Sequence, residues 1–168
     1  TGQNTQFFLK GLGKEATKPD DISDNIVWLD NVDKTYLVST SVIDLIDEID
    51  ALPQIAFLSI RQDDLYVEEA KQMLKEGQIA YGGKYSAPDF ELLTMDGCNF
   101  AIENTMIYHS PQILEKLQDL GIPVLVERSS YEENPLGRLE WIKLYGILYG
   151  KEDIASEYFD EQELRVLD

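Results

Sequence analysis

The residue types that bind anionic or oxygen-rich groups in proteins recur at similar places in this chain, directly after short apolar runs. Hydroxyl and amide side chains supply hydrogen bonds, and cations supply charge-assisted ones. The chain has only 14 Lys and Arg against 32 Asp and Glu, and three of these few cations directly follow apolar runs, so the cations are unevenly distributed along the chain. The candidate ligand-binding residues are Ser39, Thr40, Arg61, Lys84, Tyr85, Asn104, Thr105 and Arg128. The alternative is that these loops are merely polar and that the cations pair with nearby carboxylates.

Residues suited to other chemistry are sparse. His109 is the single histidine, and nothing in the sequence orients it toward Ser129 or Ser130 as a base toward a nucleophile. Cys98 opens an apolar stretch, which favours a buried thiol, and one Cys with one His excludes a zinc site of the usual kind. Gly82-Gly83 follows an apolar run, but neither GxGxxG nor GxxxxGKS/T is present, so a dinucleotide-binding loop and a P-loop are excluded. We therefore expect neither an enzyme nor a cofactor.

Composition narrows the possible partners. The formal charge of −18 repels phosphate backbones, so we expect no nucleic-acid partner. Hydrophobic residues make up 43% of the chain, enough for a core and too many for a disordered acidic tail. No apolar run approaches the roughly 18 residues that a membrane-spanning helix needs.

The elements that must position the candidate residues alternate along the chain. Five short runs are apolar at consecutive positions, which is typical of strands buried on both faces. These runs are Tyr36–Val38, Ile55–Leu58, Ile79–Tyr81, Phe100–Ile102 and Pro123–Val126. Helical periodicity fills the intervals Ser41–Ile49, Leu65–Lys75, Pro88–Met95 and Ser110–Leu120. The alternation predicts an α/β fold, a Rossmann-like three-layer lobe with a mainly parallel sheet and flanking helices. Because the carboxyl ends of parallel strands meet at one edge, we expect the candidate residues to lie along that edge.

The two ends of the chain differ from residues 35–134, which we predict to be the α/β ligand-binding lobe. Residues 1–34 are irregular, and the apolar runs Gln6–Leu9 and Asn25–Leu29 predict a hairpin. Residues 135–168 predict a long helix, Pro135–Tyr149, and a second helix, Glu152–Val166. No strand follows them, so we expect the protein to continue beyond these 168 residues.

One segment is more specific than the rest. The run from Ser130 to Lys143 includes Pro-Leu-Gly-Arg-Leu-Glu-Trp-Ile-Lys, and Leu148–Glu152 adds a Gly-Lys-Glu turn. These residues resemble a stretch of the ABC-transporter solute-binding proteins of the iron-siderophore and cobalamin type, the class III periplasmic binding proteins. Ser86–Leu93 with Asn99–Ile102, and then Leu114–Val126, resemble further stretches of the same family in the same order. The resemblance extends over roughly residues 35–160.

The resemblance implies two α/β lobes joined by a long rigid helix, with ligand held in the cleft between them. This chain then corresponds to the N-terminal lobe and ends in the long inter-lobe helix. The implied function is that of the substrate-binding component of an ABC importer, which captures an iron-siderophore, haem or cobalamin-like ligand and delivers it to the permease. The alternative function is that of a small cytoplasmic flavodoxin-like enzyme or regulatory domain.

The resemblance also implies a location and a docking surface. It implies an extracytoplasmic monomer, at the cell surface or in the periplasm, with a lipid anchor in its precursor. Family members dock onto the permease through a surface glutamate on each lobe, for which Glu132 and Glu133 are the candidates here. The ligand-binding candidates are assigned by location, because the ligand residues of this family vary.

Overall fold

The computed structural model describes residues 7–10, 17–24 and 26–167. The strands are β1 (Phe7–Lys10), β2 (Ile26–Leu29), β3 (Thr35–Leu37), β4 (Ile55–Leu58), β5 (Ala80–Tyr81), β6 (Gly83–Lys84), β7 (Ala87–Pro88), β8 (Phe100–Glu103) and β9 (Val124–Val126). The helices are α1 (Ile43–Glu48), α2 (Glu68–Lys75), α3 (Phe90–Met95), α4 (Pro111–Asp119), α5 (Pro135–Tyr149) and α6 (Glu152–Leu167). Short 3-10 turns precede several of these helices, so α2 begins at Glu68 rather than at the predicted Leu65.

The centre of the fold is a parallel sheet formed by the five predicted apolar runs. Its strand order is β5-β4-β3-β8-β9, and every neighbouring pair is parallel. One face packs against α1, α2, α5 and α6, and the other against α3 and α4. Successive residues of β8 alternate between the two cores, with Phe100 and Ile102 in one and Ala101 in the other. The predicted α/β class, the parallel sheet and the three layers are therefore confirmed.

The strand order reverses between β3 and β8. From β3 the chain proceeds outward through β4 to β5, then crosses to the other side of β3 and continues through β8 to β9. The connections leaving β3 and β8 therefore run to opposite faces of the sheet. In open parallel sheets a crevice opens at the carboxyl ends of the strands where the order reverses.

The helix α5 lies against the sheet as part of the same core. Its predicted bounds are confirmed: Asn134 caps it by accepting from the Leu136 amide at 2.9 Å, and Gly150 ends it at a φ of 67°. The α5 side chains Ile142 and Tyr145 are fully buried. Helix α6 packs closely on α5, because a Cβ built at Gly146 would lie 2.7 Å from the Cβ of Ala155.

The amino-terminal strands pair differently from the prediction. β1 and β2 are parallel, with Phe7 opposite Ile26 and Lys10 opposite Leu29, so the predicted hairpin is wrong. A hairpin needs antiparallel strands, whereas a parallel pair needs a crossover of a dozen or more residues, for which residues 11–25 are long enough. Gln6 and Asn25, which the prediction included, and residues 11–16 lie outside the described residues.

Candidate functional site

The predicted ligand-binding residues follow the five strands of the central sheet, and we call the edge they occupy the carboxyl edge. Ser39 and Thr40 follow β3, and Arg61 follows β4. Lys84 ends the short strand β6 that follows β5, and Tyr85 comes directly after it, whereas Asn104 and Thr105 follow β8 and Arg128 follows β9. Because all five strands are parallel, one side of the lobe presents all of these loops.

The three cations lie at the two ends of the carboxyl edge rather than in one cluster. The Arg61 guanidinium stacks over the Tyr81 ring at 4.2 Å from its centroid, and Arg128 lies 5.5 Å from the centroid of Tyr131. Two strands separate β4 from β9, so at ~4.8 Å per strand the two arginines flank a span of ~14 Å. Lys84 lies in a groove of about 450 Å³ that is also lined by Asp89, Phe90 and Tyr81, the ring that Arg61 contacts.

The alternative interpretation of these cations would require carboxylate partners. Arg61, Lys84 and Arg128 are exposed, and none of them forms an ion pair with another described residue. Both arginines instead contact aromatic rings, which hold a guanidinium in place while its N–H groups stay available to a ligand. The arrangement therefore suits the binding of anionic or carbonyl oxygens at two separated points.

Ser39 lies inside the protein rather than on the edge. Its side chain is 3% exposed, and its hydroxyl donates to Oε2 of Glu127 at 2.8 Å. The other carboxylate oxygen of Glu127 accepts from the Ser129 amide, so this buried carboxylate is well satisfied. The exposed hydroxyl in this loop belongs to Ser41, whose Oγ lies 3.1 Å from that of Ser39.

Asn104 and Thr105 form the centre of the edge. The Asn104 side chain accepts from the Met106 amide at 2.9 Å and so caps a 3-10 turn, Thr105–His109, which we call the strand-end turn. The Thr105 hydroxyl lies 2.7 Å from the Tyr131 hydroxyl, which joins the loop after β8 to the loop after β9. Both candidates are half-buried. They support the wall that these two loops form along the carboxyl edge, and they also line it.

The two predicted docking glutamates differ in their surroundings. Both are exposed, but the Glu132 carboxylate accepts from Nε1 of Trp141 at 3.2 Å. Its backbone carbonyl and that of Ser130 each accept from the Arg138 guanidinium at 3.1 Å. Glu133 has no side-chain hydrogen bond to a described residue.

Exposed aromatic and apolar side chains on the carboxyl edge went unpredicted. Between 46% and 61% of each side chain is exposed in Tyr66, Met106, Tyr108 and Tyr131. Aromatic side chains with a polar hydroxyl, such as these tyrosines, can contact both apolar and polar parts of a ligand. The sequence offers one weak signal for them, which is that Tyr108 and Tyr131 follow a predicted strand by a few residues.

A buried carboxyl group, Glu103, also went unpredicted. It is the last residue of β8, it is 0% exposed, and neither of its oxygens has a hydrogen-bond partner among the described residues. Burial in apolar surroundings raises the pKa of this carboxyl group to about 8, so the folded chain holds it mainly in the protonated form at neutral pH.

Other groups that the sequence suggested for chemistry are placed as inert residues. Burial raises the pKa of the Cys98 thiol to about 11, so it stays protonated at neutral pH. His109 is exposed at the end of the strand-end turn. No three His, Cys, Asp or Glu side chains of the described residues are grouped so that they could hold a metal ion.

Within the described ranges, no helix combines the length and the apolar character needed to span a bilayer. No family model matches the chain. A curated relative, an uncharacterized lipoprotein of Methanocaldococcus jannaschii, is 30% identical over 103 residues, which are 58% of this chain and 23% of the relative.

Solved structures give a broader match. The petrobactin-binding protein YclQ of Bacillus subtilis superposes with a TM-score of 0.62 at 16% identity, over 82% of this chain and 46% of that one. The chain shares its fold with such binding proteins. The periplasmic haem-binding protein HutB of Vibrio cholerae gives a TM-score of 0.61 at 17% identity, over 79% of this chain and 47% of HutB. A Fe3+-hydroxamate transport protein of Saccharomonospora viridis gives 0.59 at 17% identity, over 82% and 49%.

These matches confirm the predicted resemblance at the level of the fold. Two of the matched structures are binding proteins, and the third belongs to a Fe3+-hydroxamate transport system. The chain spans about half the length of each of them and less than a quarter of its curated relative.

Proposed function

We propose that this chain is a ligand-binding lobe of the substrate-binding component of an ABC importer. It captures an iron-siderophore, haem or cobalamin-like ligand in a cleft between two lobes and delivers it to the permease. The carboxyl edge supports this most directly. There, three cations flank exposed tyrosines at the point where the strand order reverses. None of the three cations has an ion-pair partner among the described residues. The solved structures that share the fold include binders of siderophore and haem.

The chemistry of the edge favours a broad ligand with a mixed surface. Arg61 and Arg128 flank a span of ~14 Å, and Tyr108 and Tyr131 offer aromatic surface near that span. A ligand that fits is apolar or conjugated in its middle and has anionic or carbonyl oxygens at its periphery. Ferric siderophores and haem have this character, whereas a simple sugar or amino acid does not span the distance.

A second lobe completes the cleft in this proposal, because one exposed edge leaves most of a ligand in water. The segment of residues 135–168 then leads toward that lobe. Glu132 and Glu133 dock onto the permease, and Glu133 is the better placed of the two because Trp141 and Arg138 engage Glu132. The protein works as a monomer outside the cytoplasm, at the cell surface or in the periplasm, and the lipoprotein relative supports a lipid anchor.

The test is a binding titration by calorimetry with a ferric hydroxamate, a ferric catecholate, haemin and cyanocobalamin. It uses the 168-residue chain and the longer two-lobe protein proposed to contain it. Each charge-assisted hydrogen bond is worth about 1.5–3 kcal/mol, so Arg61→Ala and Arg128→Ala should each weaken binding by the two-lobe protein about tenfold or more. The matched control is Arg165→Ala, an exposed arginine on α6 away from the carboxyl edge, and it should bind like the wild type.

Two results would contradict the proposal. One is that none of the four ligands binds to the two-lobe protein. The other is that Arg61→Ala and Arg128→Ala bind as tightly as Arg165→Ala, which would remove the carboxyl edge from the site. If the 168-residue chain alone bound as tightly as the two-lobe protein, the shared cleft would be wrong.

A further inference from the structure

The buried carboxyl group of Glu103 has surroundings that suit its protonated form alone. The alternation of β8 places it on the face of Ala101, toward α3 and α4. In the sheet register it lies opposite Val126 of β9, and on its other side it is next to Val38, which follows β3. An ionised carboxylate there would lose its hydration without gaining a hydrogen bond, which is among the largest penalties a folded chain can accept.

The segment that directly follows Glu103 is the strand-end turn at the centre of the carboxyl edge. The turn is a single short 3-10 segment: at its two ends the Ile107 amide donates to the Asn104 carbonyl at 3.1 Å, and the Ser110 amide donates to the Ile107 carbonyl at 2.8 Å. Ile107 is fully buried and anchors the turn. Because Glu103 directly precedes the turn, displacement of this segment is a smaller route to water for an ionised Glu103 than unfolding of the sheet.

We propose that Glu103 makes the closure of the strand-end turn depend on a proton. With Glu103 protonated, the turn is closed and holds Asn104 and Thr105 in the wall described above. Loss of the proton opens the turn and breaks the contact between Thr105 and Tyr131. The switch itself is a property of this chain, whereas its effect on ligand capture rests on the proposed function.

The titratable groups around Glu103 do not account for its protonation, so burial is the cause. Tyr36 on β3 lies close enough to be affected electrostatically by Glu103, but its hydroxyl donates to the Gly83 carbonyl at 2.7 Å and burial raises its pKa well above the ordinary range. Glu127, after β9, uses its carboxylate with Ser39 and Ser129. The charged residues of α3 and α4 are all exposed, as is His109 of the turn; they are Glu91, Glu115, Lys116 and Asp119.

Proton linkage gives the size and direction of the effect. The pKa of Glu103 is about 8 in the closed form and returns toward 4.5 when the side chain reaches water. Opening therefore releases a proton between these values, so the open fraction rises with pH, by nearly tenfold per pH unit between about pH 5 and 7 and less steeply as it levels off near pH 8. Across this interval the increase is roughly a few hundredfold.

The experiment uses NMR on the whole chain to measure both the protonation of Glu103 and the opening of the strand-end turn. The side-chain carboxyl signal of Glu103 is followed against pH, and amide hydrogen exchange of Met106 and Ile107 is followed over the same range, corrected for the intrinsic rate of exchange. Amides of β4 report global unfolding in the same sample. The variants are Glu103→Gln, which mimics the neutral acid, and Glu115→Gln, which makes the same charge change on the exposed face of α4.

The expected result is a Glu103 carboxyl signal that titrates near pH 8. The turn amides should lose protection about tenfold per pH unit below that point, while remaining less protected than the β4 amides. Glu103→Gln should remove this dependence and Glu115→Gln should keep it. A carboxyl signal that titrates near 4.5 would overturn the proposal, as would turn amides with a flat profile. Binding measurements do not enter this test, so the switch can fail while the proposed function stands, and the reverse.

Discussion

The close contact between α5 and α6 predicts how the substitution Gly146→Ala changes the stability of the chain. Within α5, replacing glycine by alanine normally stabilises a helix by about 1 kcal/mol. At Gly146 the new Cβ would lie 2.7 Å from the Ala155 Cβ, 3.2 Å from the Lys151 carbonyl oxygen and 3.3 Å from the Glu152 Cα. Carbon atoms in contact prefer about 3.5–4 Å, so α6 must move outward by about 1 Å. Overpacking of this kind costs about 1–3 kcal/mol, and we expect Gly146→Ala to destabilise the chain by up to about 2 kcal/mol.

The same helix provides the control. A Cβ at Gly137 would meet the Glu132 side chain at 3.5 Å or more, which is ordinary contact, so Gly137→Ala should stabilise the chain by up to about 1 kcal/mol. Urea unfolding followed by circular dichroism gives both free energies. Ala155→Gly should cost less in the Gly146→Ala background than in the wild type, because there it also relieves the closest contact. If both glycine variants stabilised the chain equally, the close approach of α5 and α6 would be refuted.

Three other predictions concern the core and the buried groups. Folding takes up a proton on Glu103 between about pH 4.5 and 8, so wild-type stability falls as pH rises through this range. In urea unfolding, the stability advantage of Glu103→Gln over the wild type should therefore grow from near zero at pH 4 to about 3 kcal/mol at pH 7. Glu115→Gln should show no such trend. Ile102→Ala, at a fully buried position of β8, should cost about 2–5 kcal/mol by the same assay, and a loss below about 1 kcal/mol would mean that β8 is not central. Because partial burial raises the pKa of Cys98 to about 11, iodoacetamide should label the native chain at pH 8 at least about tenfold more slowly than the urea-unfolded chain, and equal rates would contradict the raised pKa.

The sequence was sufficient for the elements of the lobe because their signals are local. Consecutive apolar residues predicted the five strands, and Pro135 with Gly150 predicted the bounds of α5. The pairing of β1 with β2 was not predictable in the same way. Two apolar runs separated by a turn-rich stretch fit a hairpin and a parallel pair equally well, and packing against the rest of the core decides between them. The Phe8 ring, for example, packs edge-on against Phe100, with 6.5 Å between centroids.

For the site, the sequence located the loops but not the exposure of their side chains. Parallel strands bring their following loops to one edge, so the placement of Arg61 and Arg128 there follows from topology. Their separation depends on strand order, which is a long-range property. Ser39 illustrates a further limit, because a serine after a strand is as consistent with a buried partner of Glu127 as with a ligand contact.

Glu103 shows most clearly why burial has to be known before function can be argued. A glutamate after three apolar residues suggests the start of a solvated loop, yet the register extends β8 by one residue and places the carboxyl group between Val38 and Val126. Glutamine at this position would avoid the cost of protonation at nearly the same volume, so stability does not explain the carboxyl group. Buried acids with strongly raised pKa values cluster at functional sites, and this one directly precedes the turn formed around Asn104 and Thr105. The stability that Glu103 costs is therefore located directly before the segment whose closure we propose to depend on its proton.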